Sequence, residues 1–360
     1  MKKIYSLSIC VMLSVIAFDA AAQSSSTSAA FSALIQAGPA DGSVLLKAYA
    51  NPLFKEFGLG FNDGWNNTAK TKKLFHFDLR LSASASFVSN ADKTFDVTKI
   101  GLSNHIGPAD PNQTIAPTFA GETSTSGPSL NIYDNNGKKI GSFNTPSGQA
   151  AIIPVPQVQL TIGLIKNTDL TLRAIPSVPI SNYGSISSYG FGLKHNIMQD
   201  FFGKKVKKLV PFDLAIAFGY SRLNLTTPLV VNPQSGAQPK DAQQSTDFSN
   251  QHIAGKLDNV MGQLIFSKKL ASFTPFVAVA YNTTKTNVVS VGNYPVITGE
   301  NLAFQPTYTT YTNPIIINEN SVDGLRADIG FQLNLGFFRF YASGSLAEYK
   351  SVNAGIGFGF

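Results

Sequence analysis

The fold of this chain is decided by residues 75–88, which read FHFDLRLSASASFV. Apolar side chains occupy every second position from Phe75 to Phe87, and charged or hydroxyl side chains lie between them. This period of two places the two series on opposite faces of a β-strand. A strand needs about nine residues or more to cross a membrane at a tilt. The pattern therefore predicts a membrane-spanning strand with lipid on one face and a polar lumen on the other.

The end of the sequence repeats the pattern. Apolar residues at alternate positions from Val352 to Phe360 are separated by serine, asparagine and glycine. This stretch resembles the terminal strand of bacterial outer-membrane proteins, whose final phenylalanine is read by the barrel-assembly machinery. The resemblance implies outer-membrane lipid and that machinery as partners, and an assembly signal formed by Ile356, Phe358 and Phe360.

About twelve segments of the chain have this alternation over a sufficient length. They are residues 55–65, 73–88, 93–101, 151–165, 169–179, 184–196, 210–223, 254–268, 272–286, 324–336, 338–347 and 350–360. We expect an all-β fold, a transmembrane antiparallel up-and-down β-barrel of about 12 strands, within a range of about 12 to 14.

The connections between these segments differ in length as they do in outer-membrane barrels, which have short inner turns and long outer loops. With both termini on the periplasmic side, the long connections 102–150, 224–253 and 287–323 fall outside. The short connections Ser89–Ala91, Lys166–Thr168 and Lys269–Ala271 fall inside. The outer loops are rich in Pro, Gly, Ser, Thr and Asn, and we expect solvated turns there instead of a second core.

Residues 1–22 have the pattern of an export signal. Lys2 and Lys3 precede an apolar run, and Ala20-Ala21-Ala22 provides a cleavage site. We therefore expect a cleaved signal peptide and a location in the bacterial outer membrane. Cys10 lies inside the apolar run and is the only cysteine, so the mature chain would have no disulfide and no thiol chemistry.

Residues 23–54 are expected to form a short N-terminal segment that precedes a barrel domain of residues 55–360. Asp41 is suited to cap a helix that runs to Ala50, where Asn51-Pro52 interrupts it. The apolar side chains of this segment need a partner surface, since a single helix has no core of its own. We expect the helix to plug the periplasmic mouth or lower lumen; the alternative is a helix lying on the inner leaflet. The candidate plug residues are Val44, Leu45, Tyr49, Leu53 and Phe54.

The inward series of the strands defines a candidate lumen. Only 14% of residues are charged, and the mean hydropathy is close to zero, at +0.04. The net charge of +7 at pH 7 includes two leader lysines, and we expect no nucleic-acid binding. Charges in a narrow lumen either form a buried ion-pair network or line a solute pathway, and the sequence leaves both open. The candidate lumen residues are His76, Asp78, Arg80, Arg173, Lys194, Asp213, Arg326, Asp328, Gln332 and Arg339.

The sequence offers little for catalysis. The imidazole bases are His76, His105, His195 and His252, and none has the spacing of a metal-ligand pair. Outer-membrane phospholipases combine a His with Ser and Asn on the lipid-facing side, but His76 points to the lumen in the predicted register. We therefore expect no enzyme activity, no metal and no cofactor.

Some stretches resemble known families. Residues 49–53 (YANPL), 64–70 (GWNNTAK) and 190–195 (GFGLKH) look like an uncharacterised family of secreted outer-membrane barrels of the Bacteroidota type. An N-terminal helix entering a barrel is more distantly similar to the long-chain fatty-acid transporters, which have fourteen strands and an N-terminal plug. We therefore expect a passive channel or transporter for small or amphipathic, including hydrophobic, solutes. The alternative is a structural or adhesive barrel with a closed lumen that binds partners through its outer loops.

Overall fold

The computed structural model describes residues 24–179, 184–198, 200–201 and 211–359. The predicted signal peptide and Phe360 lie outside these residues. In this part of the chain, helix α1 covers Ser24–Ile35, helix α2 covers Pro39–Asn62, and a single 3-10 turn covers Asn90–Lys93. None of the described helices combines the length and apolarity needed to cross a membrane.

The strands follow in chain order. They are β1 (Phe77–Phe87), β2 (Thr94–Asp96), β3 (Ile106–Pro108), β4 (Ile115–Pro117), β5 (Ser129–Tyr133), β6 (Lys139–Asn144), β7 (Val155–Gly163), β8 (Thr168–Pro179), β9 (Ser185–Asn196), β10 (Asp213–Pro228), β11 (Gln238–Pro239), β12 (His252–Ser267), β13 (Phe273–Val291), β14 (Asn293–Glu300), β15 (Pro306–Thr312), β16 (Ile316–Leu335), β17 (Phe338–Leu346) and β18 (Lys350–Gly359).

Among the described residues, ten of these strands form a closed antiparallel barrel: β1, β7 to β10, β12, β13 and β16 to β18. The first and last strands close it, with Asp78 opposite Gly359 and Phe87 opposite Lys350. The predicted transmembrane β-barrel is confirmed, but the predicted count of about twelve strands is wrong.

Two predicted strands are absent from the barrel. Residues 55–65 belong to the end of α2 and the turn after it, and residues 93–101 contribute only β2, which pairs with β4 outside the barrel. As a consequence, β1 leads directly into a long connection. Ser89–Ala91 therefore lies at the long-loop end of the barrel, not at the short-turn end as predicted.

The outer surface of the barrel is apolar, as expected for a wall in lipid. Along β16, Ile329 is 68% exposed, whereas its inward neighbours Arg326 and Asp328 are 2% and 6% exposed. Towards the long-loop end the outward residues become polar. There Asp258 accepts hydrogen bonds from Tyr220 Oη at 2.7 Å and Arg222 Nε at 2.6 Å. We take this polar group as the boundary of the hydrocarbon, beyond which β10 continues to Pro228.

The long connections 88–154, 229–251 and 292–315 are not merely solvated turns, contrary to the expectation from composition. They carry small sheets: β2 with β4, β3 with β5 and β6, and β11 with β15 and β14. We call these connections together with α1 the cap. The cap stands at the long-loop end of the barrel, opposite the short turns. Its apolar cluster includes Phe31, Leu34, Ile35, Leu45, Leu46, Tyr49, Val97, Ile106, Phe119, Leu130, Ile132, Phe143, Val231, Tyr294 and Ile315.

Residues 39–76, which we call the lumen segment, run through the barrel from the cap to the short-turn end. The beginning of α2 is in the cap, where a side chain at Gly42 would contact Ile315. Contacts further along the segment are with residues progressively closer to the short-turn end: Gly58 with Thr284 and Val322, Gly64 with Asn353, Asn66 with Gln263, Thr68 with Ser267, and Phe75 with Gly163. The chain therefore crosses the lumen once before β1 begins.

Candidate functional site in the barrel lumen

The carboxyl end of α2 lies inside the barrel and is held by arginines of the wall. The last carbonyl oxygens of a helix have no partner within the helix and carry partial negative charge. Arg173 Nη1 donates to Phe61 O at 2.9 Å, and Arg326 Nη1 donates to Asn62 O at 2.8 Å. Arg173 Nη2 also donates to Asp63 O at 2.9 Å. The guanidinium N–H groups thus donate to the carbonyl oxygens that the backbone N–H groups of a further helical turn would otherwise satisfy.

A third arginine continues this arrangement along the segment. Arg80 Nη2 donates to Trp65 O at 3.2 Å, and the same side chain donates to Gly64 O and to Asn67 Oδ1. Gln159 Oε1 accepts from both Arg80 and Arg173, at 2.8 and 2.9 Å. The result is a connected polar network in which wall side chains bind the backbone of the segment. We call Arg80, Arg173 and Arg326 the arginine collar.

Trp65 fills the lumen just below the turn that follows α2. Its ring lies under the Arg173 guanidinium, with 3.8 Å between the carbon Cζ and the ring centroid, a cation–π contact. The neighbouring strands β9 and β10 have glycine at this level. A Cβ added at Gly192 or Gly219 would lie 2.9 or 2.8 Å from the indole. These glycines are needed so that the strands can approach the ring closely.

The Asp63 carboxylate faces strands β17 and β18, which lie between the collar strands β1 and β16. It accepts hydrogen bonds from the backbone N–H of Gly64 at 2.7 Å and from the hydroxyls of Ser351 and Ser345 at 3.1 and 3.4 Å. Arg326 pairs in turn with Asp328, at 2.7 Å between Nε and Oδ1. A buried charge is costly unless it is paired and hydrogen-bonded; the ion pair of Arg326 and the three hydrogen bonds to Asp63 offset part of that cost.

Further ion pairs fix the lower part of the lumen segment. Lys194 bridges Asp169, at 3.1 Å, and the carbonyl oxygens of Thr68 and Lys70, both at 3.1 Å. Asp78 lies 3.6 Å from Lys72 Nζ and 2.5 Å from Arg339 Nη1, and it accepts from Tyr341 Oη.

The predicted lumen residues can now be placed. Arg80, Arg173, Lys194 and Arg326 bind the segment directly, and Asp78 binds it through Lys72. The others interact mainly with the wall: Asp328 with Arg326 and Gln263, Arg339 with Asp78, Asp213 with Asn196, and Gln332 with Asn334. His76 is half-buried at the end of the segment. The sequence prediction missed Asp169, although it has the same parity as the inward Arg173, and it missed Asp63 and Trp65, which it assigned to a strand.

The predicted plug residues lie elsewhere than expected. Leu45, Tyr49, Leu53 and Phe54 are buried and Val44 is half-buried, but the buried four belong to the apolar cluster of the cap. The mouth at the short-turn end is instead occupied by the polar end of the lumen segment. The helix also continues through Pro52 to Asn62 instead of ending at Ala50.

Glu56, which lies at the cap end of the lumen segment beside Ile153, is the least well satisfied acidic group of that segment. It is 1% exposed; its Oε1 accepts a hydrogen bond from Ile153 N at 3.3 Å, and its Oε2 has no partner among the described residues. Burial raises the pKa of the Glu56 carboxyl from 4.5 to about 8, and the bond from Ile153 opposes this weakly. At neutral pH the group is therefore mainly protonated.

The histidines do not form a site together. His195 bonds to Asp200 at 2.7 Å and to Thr168 at 3.0 Å, His105 bonds to a backbone oxygen of the cap, and His252 bonds to Asn250 O. Among the described residues there is no group of three or more His, Cys, Asp or Glu that could hold a metal ion.

The cap contains a cleft of about 210 Å³ between Gln36 after α1, the β5–β6 hairpin, residues 232–234 and the β14–β15 hairpin. All of its lining residues are uncharged. They are Gln36, Ile132, Gly141, Ser142, Asn232, Pro233, Gln234, Pro295, Ile297 and Tyr308.

Comparison with solved structures finds outer-membrane proteins at low identity. The outer membrane transporter YddB from Escherichia coli matches 76% of this chain at 10% identity and a TM-score of 0.28, and this chain spans only 39% of its length. The outer membrane protease OmpT from Escherichia coli matches at 8% identity and a TM-score of 0.33, over 83% of this chain and 100% of that one. The translocator domain of the autotransporter NalP from Neisseria meningitidis matches at 9% identity and a TM-score of 0.29, over 80% and 90%.

At these identities and TM-scores the likeness concerns the barrel alone. No match is found among curated proteins. A family model does cover this chain, over residues 1–360. The chain therefore belongs to the family of unknown function DUF6588.

Proposed function

We propose that the protein is a sealed outer-membrane barrel that anchors an ordered extracellular cap and binds a partner through it. The observation that carries this proposal is the hydrogen bonding of the arginine collar to the backbone of the lumen segment at Phe61 to Trp65. These inward arginines hold the lumen segment in place and so close the lumen. Because they are bound to the chain itself, they are not available to interact with a solute.

Release of the lumen segment would be costly. Each hydrogen bond to a charged group contributes a net ~1.5–3 kcal/mol, and several would be lost together. The wall arginines would also be left without their acceptors. Withdrawal towards the periplasm would further require α1 to leave the cap, where Phe31, Leu34 and Ile35 are buried. Partial unfolding of the cap would therefore accompany any such motion.

The cleft in the cap supplies a place for the partner. Its amide and hydroxyl groups, from Gln36, Ser142, Asn232 and Gln234, both donate and accept hydrogen bonds. Because every long connection and Gln36, which follows α1, contribute to it, the cleft exists only when the cap is assembled. An uncharged, hydroxyl-rich surface such as a glycan has matching chemistry.

The second candidate is a passive channel or transporter for small or amphipathic solutes. The polar wall favours it, since Arg80, Arg173, Lys194 and Arg326 would line a hydrated path if the segment moved. The barrel, however, has ten strands. This number differs from the fourteen strands of the fatty-acid transporters by more than the predicted twelve did, so the resemblance to that family is weaker than the sequence suggested.

A reversible tether between α2 and the wall separates the two functions. Asn62 Nδ2 lies 3.3 Å from Thr284 Oγ1, so the variant carrying Asn62→Cys and Thr284→Cys places two thiols on facing sides of the contact between α2 and the wall, where disulfide formation is checked by thiol titration. We expect no sustained conductance across a planar bilayer from the wild type or from this variant, oxidised or reduced. The single variant Asn62→Cys is the control. Conductance in the wild type and the reduced variant, abolished by oxidation and restored by reductant, would establish a gated pathway and overturn the sealed barrel.

A further inference from the structure

We infer that the barrel holds its own amino-terminal segment across the outer membrane, with α1 packed into the cap on the extracellular side, and that the lumen is the path by which this segment reached the outside. The amino-terminal part of a barrel protein would by default remain in the periplasm. Here the described chain begins in the cap. Ser32 Oγ donates to Val230 O at 3.3 Å, and the ring of Phe31 contacts that of Tyr49 edge to face.

The direction of the segment is fixed by contacts at both of its ends. Near the cap, Asp41 accepts hydrogen bonds from the backbone N–H and the hydroxyl of Ser103, at 2.7 and 2.6 Å, and Lys47 pairs with Glu319 at 3.1 Å. At the short-turn end, the Phe75 N–H donates to Gly163 O at 2.9 Å. The two ends of the segment thus lie on opposite sides of the membrane.

The tight fit of the segment restricts how it can have crossed. Gly58 and Gly60 pass so close to the wall that a Cβ would lie 2.7 Å from Thr284 Oγ1 or 2.6 Å from Val155 Cγ2. A completed barrel closed around this chain leaves no room for α1 to pass through later. Because β1 follows the segment directly and pairs with β18, we place the crossing before or during closure of this β1–β18 seam. The open barrel thus translocates its own amino-terminal segment, once, during assembly.

Surface labelling of cysteine variants tests the inference. Ala29 lies on the exposed side of α1, Ser235 lies on an outer loop, and Lys269 lies in a short turn at the other end of the barrel; all are exposed. With Cys10→Ser as the background, each position is changed to cysteine, and intact cells are treated with a membrane-impermeant maleimide. We expect Ala29→Cys to react to the same extent as Ser235→Cys, and Lys269→Cys to react only after lysis.

The inference is overturned if Ala29→Cys reacts only after lysis, as Lys269→Cys does. If Ala29→Cys reacts in neither condition, the exposed Ala40, which begins α2, takes its place with the same two readings. A heat-modifiable gel shift confirms that each variant has folded. The result is independent of the proposed sealed lumen, because a barrel that conducts after release of the segment would still have assembled with α1 outside.

Discussion

The buried carboxyl of Glu56 gives the lumen segment a pH dependence that can be measured. Replacement by glutamine keeps the shape of the protonated acid and removes its titration. In the folded protein the pKa of Glu56 is about 8, against 4.5 in an unfolded chain. Between these values the folded state retains a proton that the unfolded state has released. The free energy of unfolding therefore falls as the pH rises, by about 1.4 kcal/mol per pH unit, and levels off above pH 8.

Over the whole interval from pH 4.5 to pH 8, the free energy of unfolding therefore falls by at most about 5 kcal/mol. Trp65 is the only tryptophan and lies in the lumen segment, so its fluorescence during guanidinium titration in detergent micelles reports release of that segment. We expect the wild-type midpoint to fall from pH 5 to pH 8, and the midpoint of Glu56→Gln to fall much less. The control Glu300→Gln, on an outer hairpin, should behave as wild type. Equal slopes for wild type and Glu56→Gln would refute the reasoning.

The same fluorescence assay serves three further variants. Arg173→Met removes hydrogen bonds to α2 and the turn after it and should cost about 3 kcal/mol or more. Arg173→Lys should recover only part of this, because an ammonium group lacks the planar fork; full recovery would count against the collar. Gly60→Ala places a Cβ 2.6 Å from a Val155 methyl and should cost about 1–3 kcal/mol, whereas Gly262→Ala, with nothing within 4 Å, should be nearly neutral. Equal effects would mean that the helix does not touch the wall there. Ile329→Arg puts a charge into lipid and should cost about 2–4 kcal/mol, against little for Ile329→Met; comparable stability would reverse the assigned faces.

The barrel strands could be predicted from the sequence because lipid and lumen impose opposite demands on alternate residues. In β16, Leu325 and Ile329 are exposed outward, whereas Arg326 and Asp328 are buried inward. No tertiary information is needed to recognise such a pattern. The inward arginines could be identified for the same reason. What they bind could not, because the acceptors are backbone carbonyls whose positions depend on the path of the lumen segment.

Residues 55–65 of the lumen segment were predicted as a strand because the sequence of this part of α2 has the alternation of a strand. Phe57, Leu59 and Phe61 alternate with Gly58 and Gly60, which is the pattern of a half-buried strand. In the structure the glycines serve instead for close approach of α2 to the wall. A helix surrounded by protein on every side has no polar face, so the usual helical periodicity is lost.

The cap was unpredictable for a different reason. Its apolar residues, such as Val97, Phe119, Leu130 and Tyr294, are widely separated in sequence and embedded in polar, glycine-rich stretches. Each contributes little on its own, and they form a core only when the loops and α1 meet. Loop composition reports the local preference for turns, and it carries no information on which distant segments come together.

The unequal lengths of the strands determine where the cap stands relative to the membrane surface. β10 extends from the polar boundary at Arg222 to Pro228, a rise of about 20 Å along the strand at about 3.3 Å per residue. β16 also extends beyond its neighbour β17. Its pairing with β17 stops at Ala327, and the part of β16 from Ile316 to Arg326 continues towards the cap. On this side of the barrel the strands therefore extend beyond the polar boundary and hold the cap above the lipid headgroups. The partner proposed for the cap would therefore not need to touch the bilayer, and this height suits a soluble macromolecule better than a molecule dissolved in the membrane.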